Sequence, residues 1–246
     1  MIPGPTGAPL RDESAIITDH RSAFEDRWGG WYVTARRGEQ RDRANAVASD
    51  PADPSSLVRE ARQNLPTLIG LVDVTRYLAP TSDIVALMVF EHQTQMANLL
   101  TRVSWQARMA LHADPKDDLA AGPVAADIET LVRYMLFEDE APLAEPVEGV
   151  SSFARNFAAQ GPRDSEGRSL RDFDLETRMF RYPLSYMIYS EAFDRLPAPA
   201  RARIYRRLYE RLVGEGPGSS AGQRSKARAA VLGILRETRR GLPAYW

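Results

Sequence analysis

Between Pro80 and Pro115 the chain contains neither glycine nor proline, and this stretch constrains the fold more than any other. Thr81, Ser82 and Asp83 supply side-chain oxygens suited to a helix N-terminus, and a helix-compatible pattern runs on to about Leu111. Residues three or four apart, namely Ile84, Met88, His92, Met96, Leu99, Val103, Ala107 and Ala110, form one apolar stripe with a single polar member, His92. Beside it runs a polar row, Glu91, Gln95, Asn98 and Arg102. A strand turns successive side chains to opposite faces and cannot hold this period. An unbroken helix here would be ~45 Å long at ~1.5 Å per residue.

The remaining segments are shorter. Residues 1–20 open on a Pro- and Gly-rich run that cannot be helical and is expected to lie extended. An aromatic knot, Trp28-Gly-Gly-Trp-Tyr32, precedes an Arg-rich stretch to Arg43, a loop at Ser49–Ser56 and a weakly periodic segment from Leu57 to Leu78. After the long helix the pattern predicts helices at about Val124–Glu138, near Phe153 and Phe157, at Ser185–Phe193, at Pro199–Val213 and at about Ala221–Thr238. The last residues, Leu242-Pro-Ala-Tyr-Trp246, are apolar enough that they are expected to dock. Alternating strand patterns are scarce. The expectation is an all-α, irregular helical domain with an extended, aromatic-rich N-terminal segment. Residues 1–80 are expected to pack as an irregular segment on a helical unit formed by residues 81–246.

Composition narrows the function classes. With 33 acidic and 32 basic side chains the formal net charge is -1, so the broad positive field of a nucleic-acid binder is missing. The longest apolar run, Ile84–Phe90, is far short of the ~20 residues that cross a bilayer. No transmembrane segment is expected, and no secretory leader is legible after Met1. Cysteine is absent, which removes disulfides, thiolate metal sites and covalent attachment of a c-type haem. Only Lys116 and Lys226 are lysines, so nearly all basic residues are arginine, a side chain whose planar fork suits carboxylates.

Catalytic and cofactor motifs are sparse. The three histidines, His20, His92 and His112, form no metal-binding pair at motif spacing. His92 and Met96 are one helical turn apart, and both residue types ligate haem iron, but neighbours on one helix face cannot take opposite sides of one iron. A histidine in an apolar stripe is either a hydrogen-bonded core residue or a ligand. Glu91 and Gln95 lack the Glu-x-x-His partner of a bundle metal site, and no nucleophile or phosphate-loop signature occurs. Catalysis is unsupported.

One dense block runs from Arg163 to Arg181. Its charged members, Arg163, Asp164, Arg168, Arg171, Asp172, Asp174, Arg178 and Arg181, interleave with Leu170, Phe173, Leu175, Met179 and Phe180. Charges beside apolar surface must pair or stay solvated. The block is read as a structural Arg/Asp network pinning a long loop; the competing reading is a site for an anionic group.

Several phrases resemble a family of largely uncharacterised bacterial proteins. They are Thr18-Asp-His-Arg-Ser22, Arg27-Trp-Gly-Gly-Trp-Tyr-Val-Thr34, Ser82–Thr94 with Glu91-His92, Gly161–Asp174, Phe180-Arg-Tyr-Pro, Tyr189-Ser-Glu-Ala-Phe193 and Gly241–Trp246. In longer members an N-terminal half carries CxxCH motifs like those of c-type cytochromes, and the proteins look exported. The resemblance implies that this chain corresponds to their C-terminal half. It also implies that His20 and His92 are haem-associated positions, that haem belongs to the longer relatives rather than to this chain, and that the compartment is periplasm or cell envelope. The chain departs from the pattern where relatives have histidine after the Trp-Gly-Gly-Trp-Tyr phrase: Arg37 and Asp42 stand there instead.

These readings converge on a non-catalytic helical module resembling the C-terminal part of a cytochrome c-like electron-transfer protein, with a c-type cytochrome domain or redox protein as partner. The alternative is a free-standing helical interaction module that binds an acidic partner through Arg-rich loops. An enzyme centred on Glu91 and His92 is the third.

Overall fold

The structure is a computed structural model that describes residues 17–50, 52–53, 56–58, 63–214 and 221–246. The extended course expected for the first residues therefore lies, up to residue 16, outside the described residues. The protein is mostly helical, as its sequence pattern predicts. Helix α1 spans Ile84–Ala113 without a break. Its cap is Asp83, whose Oδ1 accepts from the amides of Val85 (2.9 Å) and Ala86 (3.3 Å). The predicted stripe is the buried face: Ile84, Met88, His92, Met96, Leu99, Val103 and Ala107 are all shielded, while Asn98 and Arg102 of the polar row are exposed.

Helices α2 (Gly122–Met135), α3 (Phe153–Ala159), α4 (Glu191–Asp194), α5 (Ala198–Val213) and α6 (Ala221–Thr238) follow in chain order. The segment Ser185–Phe193 is not one helix. Ser185 and Ser190 each adopt extended backbone and turn their hydroxyls onto the amides of Met187 and Phe193, which splits the segment into a 3-10 turn, Tyr186–Tyr189, and the single turn of α4. Among the described residues the named strands are two short ones, β1 (Val47–Ala48) and β2 (Leu57–Val58), paired antiparallel with Val47 opposite Val58. No helix among the described residues is long and apolar enough to cross a membrane.

The chain gathers into two compact units built from interleaved segments. One takes the residues up to His92 with Glu140–Asn156 and Asp174–Met179. It is largely irregular and is tied by short backbone bridges: Thr34 meets Asp83, and Arg36 exchanges both hydrogen bonds with Glu148 (2.9 and 2.7 Å). Asn45 in a left-handed conformation (φ 59°) closes a loop by bonding both backbone groups of Val33 at 2.8 Å. Ala35, Ala44, Ala46 and Ala48 are buried in this unit, as are Ile84, Val85, Met88 and Val89 from the start of α1.

The other unit takes Gln93–Asp139, Phe157–Phe173 and Phe180–Trp246. Here α5 packs against both α2 and α6. Ile128, Leu131, Ile204, Leu208, Val231, Ile234 and Leu235 fill the space between them. Trp246 is buried at the end of the chain; its ring meets Tyr205 and Tyr209, and Arg236 Nε donates to its carbonyl at 2.5 Å.

Candidate functional site

The phrase Thr18-Asp-His-Arg-Ser22 makes its own local structure. Asp19 Oδ1 accepts from the Arg21 amide (2.9 Å), the Ser22 amide donates to the Asp19 carbonyl (2.9 Å), and the Arg21 guanidinium grips the Asp19 carboxylate from outside (2.7 Å). This Asx-type turn sends the intervening residue, His20, inward. Arg27 braces the turn from within, donating from Nη2 to the His20 carbonyl (2.9 Å) and from Nε to that of Ser22 (3.1 Å). Ala141 reinforces it with a 3.0 Å bond from its amide to the same His20 carbonyl.

From the other side, α1 presents Glu91 and His92. The two histidines, 72 positions apart, meet with Nδ1 atoms 3.0 Å apart and ring centroids 5.1 Å apart. His20 is 1 % exposed and His92 is fully shielded. Thr18 Oγ1 donates to Glu91 Oε1 at 2.6 Å, while Arg27 Nη1 lies 3.9 Å from Oε2 of the same carboxylate. Burial lowers the pKa of both imidazoles: His20 falls to about 3, with Arg27, Arg21 and Arg178 adding to the effect, and His92 falls well below its ordinary value, with His20 adding and Asp19 opposing. Both rings are therefore neutral in ordinary buffer, and one Nδ1–H donates to the other Nδ1. Burial pushes Glu91 the other way, upward, against the pull of Thr18 and Arg27.

The rings so placed do not hold one iron between their Nδ1 atoms. Two imidazoles on opposite faces of one iron hold their coordinating nitrogens about 4 Å apart, twice a metal–imidazole bond of about 2 Å. The Nδ1 atoms here are closer than that, and both rings are shielded from solvent. Among the described residues no group of three or more His, Cys, Asp or Glu side chains is arranged to hold a metal ion.

Of the Arg163–Arg181 block, Asp174–Met179 belong to one unit, and the residues up to Phe173 together with Phe180 and Arg181 belong to the other. In the first part Asp164, with no side-chain exposure, accepts from Arg168 Nε (2.7 Å), the Arg168 amide (2.8 Å) and the Glu166 amide (3.1 Å). Burial would raise its pKa, but these donors hold it below the usual carboxylate range. Asp172 accepts from Arg163 Nη2 and from the Ser169 amide, both at 2.9 Å. Arg171 lies over the Phe157 ring at 4.7 Å and the Tyr186 ring at 5.1 Å, beside stacked Phe173 and Phe180. Arg181 donates its amide to the Asp172 carbonyl at 2.9 Å and leaves its side chain exposed. In the second part Asp174 caps the turn that follows, accepting from the Thr177 amide at 2.7 Å, and Arg178 pairs with Glu140 at 2.9 Å.

Sequence reasoning singled out His20 and His92 separately and never as a contact. It passed over Thr18, Arg27 and Glu140 as members of the polar cluster. The only sequence signal was indirect: a lone histidine on an apolar stripe requires a partner from elsewhere. No family model, curated protein or solved structure matches the chain.

Proposed function

We propose that this chain is a non-catalytic helical module resembling the C-terminal part of a cytochrome c-like electron-transfer protein, one that packs on or shields a haem domain without holding haem itself. The resemblance in the phrases around His20, Trp28, Glu91 and Asp164 supplies the cytochrome half of the reading. The observation that carries the non-catalytic half is the His20–His92 contact, in which each ring meets the other at 3.0 Å inside a sealed interior. A general base or an open ligand must reach solvent or substrate, and these rings do not. The acidic-partner alternative has less to draw on, because Arg163, Arg168 and Arg178 already hold Asp172, Asp164 and Glu140.

The test is association with the separately expressed, haem-loaded N-terminal half of a longer relative. Saturable binding, together with no Soret shift when haemin alone is titrated into this chain, is the expected result. No association, or a saturable haemin complex of the isolated chain, overturns the proposal.

A further inference from the structure

We propose that the His20–His92 contact is an acid-released clasp, which holds the segment Thr18–Trp28 against the first turns of α1 while both imidazoles are uncharged and releases it when they take up protons. The geometry sets the requirement. Two Nδ1 atoms 3.0 Å apart have room for one hydrogen, so the contact needs one donor and one acceptor. Protonating both rings places two Nδ1–H donors and two positive charges face to face where neither ring reaches water.

The surrounding charges do not relieve that conflict. Asp19, Glu91 and Glu140 are the neighbouring carboxylates, and each already lies beside its own arginine: Arg21 at 2.7 Å, Arg27 at 3.9 Å and Arg178 at 2.9 Å. Arg21, Arg27 and Arg178 oppose a charge on His20, and Asp19 is the one group that favours a charge on His92. An imidazolium would compete with guanidinium groups for every carboxylate in reach.

The histidine contact sits among the strap's other holds on the helix. Arg27 donates to the carbonyls of His20 and Ser22 within the strap itself. Across to α1, polar links include the histidine contact, the Thr18–Glu91 bond, the long Arg27–Glu91 pair and Trp28 beside the same carboxylate. Phe24 and Trp28 add apolar burial. Loss of the histidine contact therefore removes a central hold, and α1 keeps its own backbone bonds.

Amide hydrogen exchange of the full chain tests this, with times corrected for intrinsic rates. On moving from about pH 7 to about pH 4.5, peptides covering Thr18–Trp28 are expected to lose at least tenfold in protection, while peptides from α5 keep theirs. His92→Gln, which retains hydrogen-bonding capacity without a charge, is expected to weaken that acid response to the share that buried His20 carries. The proposal is overturned if the strap keeps its protection across the range, or if strap and α5 lose it together. It is equally overturned if His92→Gln responds to acid like the parent. Should that variant fold poorly, proton NMR of the parent decides: either buried imidazole titrating near the ordinary histidine value while the strap stays protected sinks the clasp.

Discussion

Arg37 and Asp42 pair with each other in the interior, and neither side chain reaches solvent. Asp42 also accepts from the Ala44 amide at 2.7 Å, and Arg37 Nε reaches Gln63 Oε1 at 3.2 Å. The pair therefore neutralises itself inside the interior. Burial pushes the Asp42 carboxyl upward and the Arg37 guanidinium downward, each opposed by its partner.

Removing one member of that pair strands the other without solvent. Asp42→Asn or Arg37→Met alone is expected to cost about 3–5 kcal/mol, read as a shift of the denaturant midpoint. Replacing both with apolar residues of similar volume should recover most of the loss, because no buried charge then lacks its counter-ion. Single and double variants of equal stability would show that the pair is solvated.

In the Arg163–Arg181 block, Asp164 and Asp172 differ in burial more than in partner count. Asp164 has no side-chain exposure, whereas Asp172 keeps about a fifth of its surface and pairs with a 41 % exposed Arg163. Asp164→Ala is expected to cost roughly 3 kcal/mol, and Asp172→Ala about 1 kcal/mol. For a chain of this length each kcal/mol moves the melting temperature by about 2–4 °C. Equal shifts would remove the distinction.

How much of this was legible depends on the range over which each feature is encoded. The α1 stripe is local, repeats every three or four residues, and carries through to the buried face from Ile84 to Ala107. The ends of α6 and the cap at Asp83 are local too. The Ser185–Phe193 helix failed because two serines favour caps over helix interior, a preference visible in the residues but outvoted by the apolar pattern. Nothing in the linear pattern marks Glu140–Asn156 or Asp174–Met179 as partners of the first ninety residues. The same holds for His20 and His92, each a plain residue until a contact across 72 positions joins them.

The seam between α2 and α5 combines an apolar layer with a charged edge, and the two should differ in weight. Glu129 of α2 sits between Arg207 and Arg211 of α5, accepting at 3.1 Å from a guanidinium of each. All three side chains remain partly exposed, so Glu129→Ala is expected to cost about 1 kcal/mol or less, and less still at high salt. Leu131 is fully buried two positions away, and Leu131→Ala should cost about 2–5 kcal/mol with little salt dependence. Chemical denaturation at low and high salt separates the two; a larger loss from Glu129 would reverse the assignment.

Glu91 and His20 respond to acid in opposite senses, and their variants should reveal it. His20 titrates at about 3 in the folded chain against 6.5 when unfolded. Between those values the unfolded state binds a proton that the folded state refuses, so stability falls as pH drops, by up to about 1.4 kcal/mol per unit per proton. Glu91 is raised above 4.5 by burial, against Thr18 and Arg27. Just above pH 4.5 the folded state keeps a proton that the unfolded chain has released, so this group lends stability toward acid and loses it as pH rises through its folded pKa. Glu91→Gln abolishes that offset and still accepts from Thr18, so its stability should fall more steeply than the parent's as pH drops toward about 4.5. His20→Gln should instead flatten the curve across the same span. Denaturant midpoints measured at half-unit steps of pH check both slopes, and parallel curves for the parent and the two variants would show that neither group carries the acid response.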